Sequence, residues 1–222
     1  MPAGHAPPTP PVPDGAASPP TWPLAVLFAP FLANDLGNIF VRSPGWWIAQ
    51  DYAWRILVLG LAAWLATRGR VRIAGLRWPA EAWAAAAGWT LFTTAAGLWL
   101  IDGPGRQLLQ LWPETRTGFI PPIVSPGLHR FDLSVGLALV AVSEEVVFRG
   151  VLLPRLSRWL RSEVAGLASS AVLFGLAHWS TGAGAVLQTG LAGLLLGLCT
   201  QRTRSLLPAV LAHYVINLAA FS

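Results

Sequence analysis

Charge is what this sequence has least of. Only 11% of its 222 residues are charged, against roughly 25% in an ordinary soluble domain. With 54% hydrophobic residues and a mean hydropathy of +0.55, a soluble globular fold is excluded, because so few charges cannot cover that much apolar surface. Lysine is absent altogether, and the net charge of +5 rests on fifteen arginines. No basic run is interleaved with aromatics, which excludes a nucleic-acid surface. With so much Ala, Gly, Pro and Trp, the arginine-only usage reads as a bias of the source genome. The single cysteine, Cys199, excludes a disulfide framework and a cysteine-based metal site. There is no basic stretch ahead of the first apolar run, so that run is not a secretory signal. No internal repeat suggests an inverted-repeat transporter.

What is present is a series of apolar segments near the ~20 residues needed to cross a bilayer. The fold class expected is all-α, a polytopic membrane bundle of about seven transmembrane helices. The spans are read at about 23–41, 50–67, 81–101, 131–148, 163–180, 184–200 and 206–221. The first is interrupted by Asn34, Asp35 and Asn38, and the second carries Arg55 near one end, where a long side chain can snorkel to the interface. Residues 1–20 hold eight prolines and read as a disordered cytoplasmic tail. The expected organisation is that tail, amino-terminal helices and a long connection over 21–130, and a helical core over 131–222. Three connections carry the arginines: Arg68, Arg70, Arg72 and Arg77; Arg155, Arg158 and Arg161; Arg202 and Arg204. With seven spans these fall on one side, and the positive-inside rule makes that side and the amino terminus cytoplasmic.

Ionisable residues at bilayer depth cost about 2.5–3.5 kcal/mol on insertion scales and are functional candidates by default. Glu144 and Glu145 are followed by Arg149, which is spaced to pair with Glu145 on a helix while Glu144 points elsewhere. Two adjacent carboxylates in a low dielectric suit a general base. The alternative is a helix end at the cytoplasmic interface, where both acids touch water. Phe174 and His178 share a face, and by themselves they also fit an interfacial histidine in an aromatic belt. His213 and Asn217 sit one turn apart and aim two polar groups at one point; a structural inter-helix hydrogen bond is the competing explanation. Ser43, Ser143 and Ser180 have no activating partner by spacing, and no His-Glu-x-x-His helix is present.

The three stretches Glu144–Gly150 (EEVVFRG), Phe174–His178 (FGLAH) and His213–Asn217 (HYVIN), in that order on successive hydrophobic segments, resemble the CPBP family of intramembrane proteases. That group includes the type II CAAX prenyl endopeptidases and bacterial Abi-type bacteriocin-immunity proteins, and the resemblance covers about residues 131–221. It implies a catalytic set of Glu144, Glu145, His178, His213 and Asn217. Glu144 with His178 would activate water, and His213 with Asn217 would stabilise the oxyanion. Arg149 and Phe174 would support them. It also implies that no cofactor is needed, with Zn²⁺ held by Glu144, His178 and His213 as the alternative.

The resulting expectation is an endopeptidase of a bacterial inner membrane. It would cut a membrane-associated protein or peptide near the cytoplasmic side, with the lipid bilayer as its other partner. Nothing marks a groove for a prenyl chain, so a different membrane-anchored peptide fits better. A non-catalytic scaffold or bacteriocin-immunity protein is the competing function, and a small proton-coupled transporter is a third.

Overall fold

The computed structural model describes residues 21–73 and 75–222; the Pro-rich segment expected to be a tail lies outside the described residues. Among those described, the regular structure is helical throughout: α1 (Trp22–Phe40), α2 (Pro44–Thr67), α3 (Trp83–Asp102), α4 (Pro104–Leu111), α5 (Pro126–Phe131), α6 (Leu137–Glu144), α7 (Leu153–Trp159), α8 (Glu163–Leu176), α9 (Ala183–Thr203) and α10 (Leu207–Phe221). Proline sits in the first turn of α2, α4, α5 and α10, where its missing N–H costs no hydrogen bond. Ser162 caps α8 by accepting from the Ala165 amide at 3.2 Å.

Each of the seven expected spans falls on helix, and the protein is an all-α membrane bundle. By length and composition α1, α3 and α9 are able to cross a membrane. The outward faces explain the composition: on α3, Leu91, Trp99 and Trp83 are each well over half exposed, a surface that suits lipid and not water. The fourth span differs from its expected limits. It runs without a break from Pro126 to Trp159, because two π-helical stretches, Asp132–Gly136 and Glu145–Leu152, join α5, α6 and α7 end to end. The arginine-bearing segment after residue 148 is therefore the second half of this helix. All eight residues of Glu145–Leu152 are buried. Phe148 at its centre packs edge-on against Phe28 and Phe174 and tilted against Phe31.

Polar contacts stitch the bundle at both ends. At one end lie the three arginine-bearing connections. There the Leu206 amide donates to the Gly75 carbonyl at 3.2 Å, and the Ser205 hydroxyl donates to the Arg77 carbonyl. At the other end the 102–130 connection folds back onto the helices. Thr117 and Gly118 donate their amides to the Ser180 carbonyl at 3.0 and 2.7 Å, and Phe119 donates to the Asn38 carbonyl at 2.6 Å.

Small residues let α8 and α9 approach closely. A Cβ on Gly175 would run into the Val186 carbonyl and reach 3.2 Å from the Gly190 backbone, whereas one on Gly88 of α3 would meet nothing within 4 Å. Gly175→Val is expected to cost about 1–3 kcal/mol, read as a lower unfolding midpoint in detergent. Gly88→Ala should leave the midpoint unchanged or slightly raised.

Candidate functional site

Glu144 lies halfway along the Pro126–Trp159 helix and not at an interfacial end, and it is 2% exposed; Glu145 is 0% exposed. The helix continues for four turns beyond the pair, which corrects the expected end of the fourth span close to it. Arg55 is a second correction. It does not snorkel to an interface but turns inward, donating from Nη1 to Glu144 Oε1 and from Nε to Asp51 Oδ1 at 3.2 Å. A guanidinium facing a carboxylate in a dry interior has a stronger claim on it than water at a distant interface.

The two glutamates diverge. Glu144 faces α2, while Glu145 Oε1 accepts from Arg149 Nη1 at 2.9 Å and lies 2.8 Å from His213 Nδ1. Arg149 is held in turn by the Gly193 carbonyl, 3.1 Å from Nη2, and by the Phe174 ring, 4.2 Å from the guanidinium carbon. With Glu145 held as an acceptor by Arg149, the proton between it and His213 sits on Nδ1. His213 Nε2 is then left facing Glu144 Oε2 at 3.7 Å. The line Asp51, Arg55, Glu144, His213, Glu145, Arg149 joins α2, the composite helix and α10.

His178 follows the end of α8. Its Nδ1–H donates to the Phe174 carbonyl at 2.9 Å, since a carbonyl can only accept, and this leaves Nε2 as the free ring nitrogen. The Phe174 ring meets His178 and His213 edge-on at 5.2 and 6.0 Å. Glu144, His178, His213, Asn217 and Phe174 all line one cavity of about 430 Å³, within the range of small-ligand sites. Glu145 and Arg149 stand behind it.

Sequence reasoning missed the contribution of the amino-terminal helices. Asn34 donates to Asp51 at 2.7 Å, and Trp47 donates to Asn38 at 2.8 Å. Asp35 accepts from the amide and the hydroxyl of Ser180 at 2.7 and 2.8 Å. The available signals were the i,i+4 pairs Asn34/Asn38 and Asp51/Arg55 inside otherwise apolar runs. Ser180 is thus tied to a carboxylate network. Among the described residues no group of three or more His, Cys, Asp or Glu is placed to hold a metal ion, and one oxygen of Glu144 already binds a guanidinium.

A carboxylate, two imidazoles and an amide around one cavity are groups that can together support hydrolysis. Residues 127–219 match the family model described as type II CAAX prenyl endopeptidase Rce1-like. This carboxy-terminal region is thus similar to the family that the three motifs resemble, and every candidate catalytic residue lies inside the matched segment. Searches of curated proteins and of solved structures gave no match. Arg55 and Asp51 lie outside the matched segment.

Removing one partner of a buried ion pair leaves the other charge uncompensated. Arg55→Leu is expected to destabilise the bundle by about 3–5 kcal/mol. Combined with Glu144→Gln it should cost less than the two single changes together, because the charge that needed Arg55 is then gone. Unfolding in a denaturing detergent series measures both.

Proposed function

We propose that the protein is an intramembrane, glutamate-dependent endopeptidase that hydrolyses a peptide bond of a membrane-associated protein. The observation that carries this reading is the convergence of Glu144, His178, His213 and Asn217, from three separate helical segments, on one cavity. Glu144 takes a proton from water as the water oxygen attacks the scissile carbonyl, and His178 Nε2 holds that water. The carbonyl oxygen becomes an oxyanion that accepts from the Asn217 amide and from His213 Nε2. The proton on Glu144 then passes to the leaving nitrogen as the C–N bond breaks.

The His213 role requires a proton on Nε2 while Nδ1–H is given to Glu145. Glu145 and Arg149 thereby act through His213, and Arg55 acts through Glu144, keeping its carboxylate aimed at the cavity. No metal is needed in this reading: Asn217 is a poor zinc ligand and a good oxyanion donor. Chelators are accordingly expected to leave cleavage intact; loss of cleavage restored by Zn²⁺ would replace the glutamate mechanism with a metal one.

The principal test compares protein termini in membranes of cells expressing the wild type or Glu144→Gln at equal abundance. New ends that appear only with the wild type are expected, and they also name the substrate. Identical termini would favour a non-catalytic scaffold or bacteriocin-immunity role. With a substrate in hand, Asn217→Ala is expected to lower the cleavage rate by ~10²–10³, the usual loss of one oxyanion donor.

A further inference from the structure

The wall of the cavity is short of cations. Four carboxylates line it, those of Asp35, Asp51, Asp132 and Glu144, against one guanidinium, that of Arg55. Three of the four are engaged: Asp35 accepts from the Ser180 amide and hydroxyl, and Asp51 and Glu144 share Arg55. Asp132 differs. Its Oδ1 accepts from the Tyr52 hydroxyl at 2.9 Å, and among the described residues its Oδ2 has no hydrogen-bond partner and the carboxylate forms no ion pair. His129, one turn before it, lines the cavity without pairing with it. Donors are scarce as well: Asn34, 9% exposed, gives its amide to Asp51 and leaves Oδ1 without a partner.

The backbone is built to hold Asp132 in this position. Asp132 opens the first of the two π-helical stretches, Asp132–Gly136, and Glu144 adjoins the second; such wide turns are frequent at functional sites. A Cβ on Gly136 would run into both Asp132 Oδ1 and the Tyr52 hydroxyl, so the glycine leaves the room that their hydrogen bond occupies. Asp132 and Glu144 stand twelve residues apart on one continuous helix and line the same cavity. At the usual helical rise they are separated by roughly 18 Å along the axis.

We propose that Asp132, held by Tyr52, is a subsite for a cationic side chain, an arginine or lysine of the peptide that is cut at Glu144. The proposal rests on the proteolytic reading and adds a substrate class to it. A guanidinium or ammonium group offers only donors, and it brings the charge that Asp132 lacks. A charge-assisted hydrogen bond to Oδ2 is the strong kind, and a planar guanidinium suits a carboxylate best. An extended chain covers the distance from Asp132 to Glu144 in about five residues. Substrates therefore carry a basic residue about five positions from the bond that is cut.

The subsite is tested by binding, without reference to cleavage. The full chain in nanodiscs of zwitterionic lipid is titrated against dye-labelled, end-capped peptides of leucine and alanine. These carry a single central arginine, glutamine or glutamate, and anisotropy is read against empty nanodiscs. The wild type is expected to bind the arginine peptide at least about tenfold more tightly than the other two, the usual worth of a hydrogen bond to a charged group. Asp132→Asn keeps an acceptor for the Tyr52 hydroxyl and is expected to bring the three affinities within about twofold of one another. Glu163→Gln, which removes an exposed carboxylate at the start of α8, should keep the wild-type preference. No binding of the arginine peptide, equal affinity for all three, a preference that survives in Asp132→Asn, or one lost equally in Glu163→Gln would overturn the subsite. Failure of the proteolytic reading shows elsewhere, as identical termini with and without Glu144, so the two failures are told apart.

Discussion

Everything in this bundle is arranged around keeping charge inside it. A single ion at the bilayer centre is expensive, and the desolvation of a buried pair is repaid only when geometry and further hydrogen bonds are good. Here the repayment comes from buried pairs: Arg55 faces Asp51 and Glu144, and Arg149 faces Glu145. The aromatic residues complete the enclosure. Phe31 lies 5.5 Å from the Arg55 guanidinium carbon and Phe174 4.2 Å from that of Arg149, while Phe148 packs against both rings. The same three rings form part of the wall of the cavity.

The local winding serves that enclosure. An α-helix passing through the centre of a small bundle normally leaves a face for lipid. The wide i→i+5 turns of Glu145–Leu152 occur where all sides of the helix are packed, and such turns are common at functional sites. Glu144 stands at the junction of the two windings and Glu145 begins the wide one. The adjacent carboxylates thereby address different neighbours, Arg55 on one side and Arg149 with His213 on the other.

Much of this was legible in the sequence. Apolar run lengths gave the helices, because lipid imposes a length and a composition that few soluble segments share. The order of the EEVVFRG, FGLAH and HYVIN stretches pointed to the residues that line the cavity. Two things were not legible. The limits of the fourth span were hidden because a helix can continue past Arg149 when that arginine is buried by a carbonyl and a ring on other helices, which a one-dimensional reading does not see. Arg55 was assigned to an interface for the same reason: its partner Glu144 is 89 residues away, and only the packing of α2 against the composite helix brings them together.

The charge pairs also differ in when they become available during synthesis. Asp51 with Arg55, and Glu145 with Arg149, are each one turn apart on a single helix, so each pair closes as soon as its own segment is wound. Glu144 has no such companion on its own helix; its cation comes from α2 and its imidazole neighbour from α10. Because α2 precedes it along the chain, Arg55 is already in place when Glu144 leaves the ribosome, whereas His213 arrives last. Biogenesis thus delivers the carboxylate to a waiting guanidinium first and completes the site only when the final helix enters the membrane.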